Sequence, residues 1–224
     1  MGELVEYQAG AGGVAKAWVG RPGANANGKG ILVLQEMWGL VPHIKDVTDR
    51  FARAGYVAVA PDLWDGKTGA TMDEAYRMFM ALKIEAADKQ LRGAIDLLRA
   101  NGVKGKIGTV GWCLGGQLAM YTACEQPDVV GACVNFYGVQ PHVHPRFERL
   151  QAPILGIFGK RDPHVTTADA KKLEATVTAA GKKIAMLHYD ADHAFFNDTR
   201  LEVYDEGCAA DAWKRTLAFF AENL

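Results

Sequence analysis

The chain has little of what usually divides or tethers a protein. Its eight prolines and four cysteines are spread over 224 residues. No tract rich in proline, glycine and serine separates one half from the other, and no internal repeat or low-complexity segment is found. Without a linker, one domain over residues 1–224 is expected. Neither sign of charge is in excess: 25 Lys and Arg face 26 Asp and Glu, a formal net charge of −1. The basic residues are scattered, so there is no stripe to neutralise phosphates, and neither nucleic acid nor an anionic membrane surface is an expected partner. No apolar run approaches the length of a membrane span. The first residues, Met1-Gly2-Glu3-Leu4-Val5-Glu6, carry acids and no apolar stretch. A secretory leader is therefore not expected, and the expected location is cytoplasmic.

The four cysteines, Cys113, Cys124, Cys133 and Cys208, form no C-x-x-C pair and lack zinc-site spacing. In a reducing compartment they stay thiols. Cys124, Cys133 and Cys208 read as small buried apolar residues. His142-Val143-His144 has an H-x-H spacing but no third ligand beside it, and reads as a solvated loop. No metal is expected.

What the chain does have is 49% hydrophobic residues, arranged in short apolar runs between longer helical patterns. Gly30–Gln35, Tyr56–Ala60, Lys106–Val110, Val129–Tyr137, Pro153–Phe158 and Lys183–Tyr189 read as buried strands. His43–Ala54, Asp73–Leu82, Ile84–Ala100, Thr166–Ala180 and Asp205–Glu222 read as helices. Trp213, Leu217 and Phe220 are expected to form the buried stripe of the last. Strands alternating with helices predict the α/β class, a mostly parallel sheet with helices on both faces. Ala15–Val19 is expected to add an antiparallel edge strand. In such a sheet, chemistry gathers at the carboxyl ends of the strands.

One of those ends reads Gly111-Trp112-Cys113-Leu114-Gly115-Gly116, between a strand-like run and a helix-like run. This is the G-x-S-x-G nucleophile elbow with cysteine in place of serine. The turn requires glycine beside the nucleophile and sets the thiol at a helix N-terminus, where backbone N–H groups favour the thiolate. Two later strand ends carry Asp162 and His193. Nucleophile, acid, histidine is the triad order of the α/β-hydrolase architecture. His193 can take the thiol proton and later activate water, and Asp162 can orient the imidazole and stabilise its charge. The backbone N–H of Leu114 is a candidate oxyanion donor, and Met37, after the first central strand, is the candidate for the second. Glu36 ends that same strand, where a carboxylate needs a purpose or a partner. Trp38, Tyr76, Phe79 and Tyr137 are candidates for the wall of a substrate pocket.

With these residues in view, the chain resembles the dienelactone hydrolase family. The matching blocks are Leu34-Gln35-Glu36-Met37-Trp38-Gly39, Pro61-Asp62-Leu63-Trp64, Gly111–Gly116, Gly159-Lys160-Arg161-Asp162 and Asp192-His193-Ala194-Phe195-Phe196. They fall in family order over almost the whole chain. The resemblance implies a cofactor-free α/β-hydrolase that opens a small ester or lactone through an acyl-enzyme. It also implies that Glu36 contacts the resting thiol and takes its proton when substrate binds. Two arginines that grip a substrate carboxylate in the family correspond here to Met72 and Asn197, with Arg77 and Arg200 nearby but displaced. The catalytic residues therefore transfer while the dienelactone specificity does not. The expected partner is a small-molecule ester or lactone, with the chain acting as monomer or homodimer. The same thiol acting on aryl esters, thioesters or phosphotriesters is the alternative. An amidotransferase reading lacks the glutamate two residues after the histidine, and a non-catalytic receptor reading would not need the triad kept.

Overall fold

Continuous apolar runs become strands here, and amphipathic runs become the helices that cover them. The computed structural model describes residues 2–10 and 13–224; Met1, part of the segment read above for a leader, lies outside them. Two compact units divide the chain, residues 1–107 and 108–224. Among the described residues no helix is long and apolar enough to cross a membrane.

In the first unit the strands are β1 (Glu3–Gln8), β2 (Val14–Gly20), β3 (Gly30–Leu34) and β4 (Val57–Pro61), in the order β1-β2-β4-β3. β3 and β4 run parallel, with Ile31 opposite Ala58. Every residue of both is buried, as a strand covered on both faces requires. Helices α1 (Pro42–Arg53) and α3 (Ile84–Ala100) pack against these strands. Pro42 starts α1 at a position whose N–H would have no helical partner. Between them lies the shorter α2 (Met72–Met80), capped by the Thr71 hydroxyl on the Glu74 N–H.

The expected edge strand at Ala15–Val19 is not at the edge. β2 pairs antiparallel with β4 on one side and with β1 on the other. β1 was not expected at all. It buries only Tyr7, with Val5 half-buried, and exposes Glu3, Leu4, Glu6 and Gln8. A strand with one modest apolar face has no continuous hydrophobic run to announce it. Its period of two was nevertheless readable.

In the second unit β5 (Ile107–Trp112, its first residue at the boundary) neighbours β6 (Val130–Phe136), followed by β7 (Ile154–Gly159) and β8 (Ile184–Tyr189). β6, β7 and β8 are parallel. β5, β6 and β7 are buried throughout, whereas β8 is half-exposed. α4 (Leu114–Glu125) packs on β6, α5 (Thr167–Ala179) on β7 and β8, and α6 (Glu206–Asn223) on β6 and β7. A capping box between Thr166 and Asp169 starts α5. The buried stripe of α6 is Ala209, Ala212, Thr216 and Phe220. Trp213 and Leu217, expected in that stripe, are half-buried at its margin. Ala209 and Ala212 share the buried face with Phe220, and Trp213 and Leu217 fall beside it.

Candidate active site

The elbow is built by glycines that touch each other. Cys113 caps α4 with φ 53° and ψ −116°, a left-handed conformation that costs a non-glycine residue about 1 kcal/mol or more. A Cβ on Gly111 would lie 2.1 Å from the carbonyl oxygen of Gly115. One on Gly116 would lie 2.1 Å from Asn135 Oδ1. Neither position tolerates a side chain, so the sharp bend depends on both. The Cys113 N–H donates to the Phe136 carbonyl at 2.9 Å, and the N–H groups of Gly116 and Gln117 turn back onto the Cys113 carbonyl. Leu114 holds the first helical position, where the N–H has no partner inside the helix. Below the elbow Trp112 is fully buried, stacked on Phe136 at 5.1 Å and tilted against Phe196 at 5.5 Å.

Asp162 follows β7 and is 5% exposed. Its two oxygens divide the work. Oδ1 accepts the N–H groups of His164 at 2.7 Å and Val165 at 2.8 Å, forming a tight turn. Oδ2 lies 2.6 Å from His193 Nδ1. One carboxylate thus both holds the turn and contacts the imidazole. With Nδ1 committed to Asp162, Nε2 is left for the other side of the ring, where Cys113 hydrogen-bonds the imidazole. Burial pulls the His193 pKa down. The hydrogen bonds with Asp162 and Cys113, and the negative charge of both, outweigh burial and push it up to about 10. Tyr137 lies against the His193 ring at 4.8 Å, and His164 meets it edge-on at 5.2 Å.

Cys113, Asp162 and His193 are therefore one connected set within residues 108–224. Four non-glycine residues among those described have positive φ, and three of them, Cys113, Tyr137 and Ala194, belong to this set or adjoin it. The other thiols lie outside this set. Burial pushes the pKa of Cys124 and Cys133 up to about 12. Cys208 was expected to be buried but is half-buried on the first turn of α6, its N–H donating to Asp205. Burial and the neighbouring Asp205 raise its pKa to about 11.

The remaining candidates lie in the first unit. Glu36 follows β3 and is 2% exposed. Met37 and Trp38 are half-buried; the Met37 carbonyl accepts the Trp64 indole N–H at 3.1 Å. Gly39, with φ 96°, closes the turn after them. On α2, Phe79 is buried and Tyr76 is 54% exposed, their rings 6.1 Å apart. Met72 is exposed at the start of α2. Asn197 is buried and accepts the N–H and hydroxyl of Thr199.

The family model of the dienelactone hydrolase family matches residues 15–224. The chain belongs to the dienelactone hydrolase family. It is 33% identical to the protein usf of Aquifex pyrophilus over the full length of both. It is 29% identical, again over both full lengths, to a protein of Aquifex aeolicus provisionally named carboxymethylenebutenolidase. Among solved structures, one from Klebsiella pneumoniae, provisionally described as a dienelactone hydrolase, superposes with a TM-score of 0.87 at 27% identity, covering 99% of each chain. A dienelactone hydrolase-like promiscuous phosphotriesterase from metagenomic libraries gives 0.83 over 100% of this chain and 98% of its own, at 21% identity, a likeness of fold alone. The α/β-hydrolase class with a mostly parallel sheet is thus the fold of the chain. Membership makes it a dienelactone hydrolase-like hydrolase of carboxylic esters.

Two residues that sequence reading passed over hold the site together. Asn135 is fully buried in β6; its amide exchanges two bonds of 2.8 Å with Gly138, pinning the loop that follows. A polar residue inside the otherwise apolar run Val130–Phe136 was a readable sign of such a task. Gln140, farther along that loop, reaches the Cys113 sulfur at 3.7 Å. Nothing in a loop's composition marks such a residue.

Proposed function

We propose that this chain hydrolyses small esters or lactones with Cys113 as nucleophile, through an acyl-enzyme. The observation that carries the reading is the continuous hydrogen-bonded line from Asp162 through His193 to Cys113. The thiol proton moves to His193 Nε2, and the sulfur attacks the substrate carbonyl. The imidazolium, held by Asp162, then protonates the departing alkoxide. Water, deprotonated by His193, attacks the thioester and releases the acid. The N–H groups of Leu114 and Met37 receive the oxyanion in both halves. Glu36 contacts the resting thiol and gates its ionisation, so that the thiolate forms only when substrate is present, as the family resemblance implies. Trp38, Tyr76, Phe79 and Tyr137 supply the pocket wall. The reading takes residues 1–224 as one catalytic domain acting in the cytoplasm.

The substrate need not carry a carboxylate. Where the family places its two arginines this chain has Met72 and Asn197, and the Asn197 oxygen is already occupied by Thr199. That favours neutral aryl esters, thioesters or phosphotriesters as a second reading of the same thiol. The name of the phosphotriesterase with the same fold points the same way.

The test is hydrolysis of p-nitrophenyl acetate and a lactone panel by wild type, Cys113→Ala and Glu36→Gln. Cys113→Ala loses on the order of 10³-fold or more in kcat, and Glu36→Gln has a smaller but measurable deficit. Full activity in Cys113→Ala would refute the mechanism. A strong preference for acidic lactones over neutral esters would remove the second reading.

A further inference from the structure

Gln140 lies in a position that the triad does not explain. It sits in the loop after β6, half-buried, with its amide nitrogen 3.7 Å from Cys113 Sγ. The loop is fixed at both ends of this segment. Asn135 grips Gly138 through two hydrogen bonds, and the Gln117 amide, on the first turns of α4, donates to the Val143 carbonyl at 2.8 Å. Gly138 itself is pressed so close that a Cβ there would stand 2.6 Å from the Cys113 carbonyl oxygen. The elbow and the loop are therefore packed as one piece, and the carboxamide is aimed at the sulfur by a rigid support.

We infer that Gln140 is a further catalytic residue of this site, donating an N–H hydrogen bond to the Cys113 sulfur and so stabilising its thiolate. The inference rests on the proposed role of Cys113 as nucleophile and adds a residue to it. A carboxamide is neutral at every working pH, so it helps the anion without competing for the proton. When the thiol ionises, its proton goes to His193 Nε2, and the sulfur keeps two N–H donors, His193 and Gln140. Once the sulfur is acylated it is a poor acceptor, and the amide is released to face the acyl group. The same amide turned about its last bond would present oxygen to the S–H and favour the neutral thiol. The two orientations predict effects of opposite sign.

Within residues 108–224, Asp162 and His164 after β7 and Tyr137 after β6 lie against His193, and His142 and His144 share the loop of Gln140. Glu36 joins them in the proposed site. All of these are unchanged in a comparison of Gln140 variants. Gln140→Met keeps the length of the side chain and removes the donor. Gln140→Glu keeps the shape and sets a negative charge beside the sulfur. Gln140→Asn folds with a carboxamide one methylene too short. The measurement is the rate of Cys113 alkylation by iodoacetamide against pH, by peptide mapping, with thermal melts to verify folding.

In Gln140→Met and Gln140→Asn the reaction at pH 7 slows by about 3- to 10-fold and the midpoint of the profile moves to higher pH, the loss expected for one hydrogen bond to an anion. Gln140→Glu moves it farther. An unchanged or faster reaction in Gln140→Met and Gln140→Asn would overturn the inference. Alkylation reads the sulfur and not turnover, so this result is separate from whether Cys113→Ala abolishes hydrolysis.

Discussion

Replacing Asp162 by Asn tests the site most sharply, because the aspartate uses two acceptor oxygens and asparagine has one. Oδ1 serves the N–H groups of His164 and Val165, while Oδ2 serves His193 Nδ1. If the Asn oxygen faces His193, its NH2 group meets two backbone N–H donors, leaving both unsatisfied at about 1–3 kcal/mol each. If the oxygen keeps the turn, only the histidine contact is disturbed. Two bonds outweigh one, so the NH2 group turns to His193. Nδ1 must then accept, the proton moves to Nε2, and the base can no longer take the proton of Cys113. The expected loss in kcat is on the order of 10²- to 10⁴-fold, as for other triads forced into the wrong tautomer.

Stability changes as well. The rise of the His193 pKa from 6.5 to about 10 corresponds to about 5 kcal/mol of preference for the imidazolium, shared between Asp162 and Cys113. A charge-assisted hydrogen bond accounts for about 1.5–3 kcal/mol of it. Because the folded pKa is raised, this stabilisation is complete below pH 6.5 and is lost as pH climbs through about 10. Denaturant melts of wild type and Asp162→Asn should therefore differ most at pH 6 and converge towards pH 10. Ring-nitrogen NMR of His193 reads the tautomer directly. A variant with kcat within threefold of wild type, or with the proton still on Nδ1, would refute this reasoning.

Two other outcomes follow from the same geometry. Limited iodoacetamide treatment at pH 7–8 should label Cys113 before any other cysteine, since the pKa values of Cys124, Cys133 and Cys208 are raised to about 11–12; mapping that finds Cys208 labelled first would contradict the assignment. Gly111→Ala places a methyl against the Gly115 carbonyl at 2.1 Å. It should lower the melting temperature by several degrees and abolish esterase activity, and a variant with wild-type activity would show that the elbow is not needed.

The central strands were legible because burial on two faces forces them to be apolar without interruption. Ile84–Ala100 was bounded correctly because its apolar residues recur at helical spacing. What escaped did so for physical reasons. β1 is itself the edge strand, with one face buried only at Tyr7, and needs little apolar surface. In α6 the buried face is Ala209, Ala212, Thr216 and Phe220, and of the three large residues expected there only Phe220 is fully buried. Cys113 stands directly after β5, and Asp162 and His193 stand three and four residues past the ends of β7 and β8, which made the three legible as candidates. The connection from Gln140 to the sulfur depends on how Asn135 and Gln117 fold a loop, and no spacing rule encodes that. The roles proposed for Glu36 and Met37 rest on their place after β3 and on the family resemblance.

Cys113, Tyr137 and Ala194 occupy backbone conformations that most side chains avoid. Strain of this kind persists only where the surroundings insist on it. A search for thermostable variants would find glycine at position 137 or 194 attractive, since it relaxes the main chain. The robustness gained there would come from loosening the segments that hold Cys113 and His193, so stabilising substitutions are better begun in helices away from these residues.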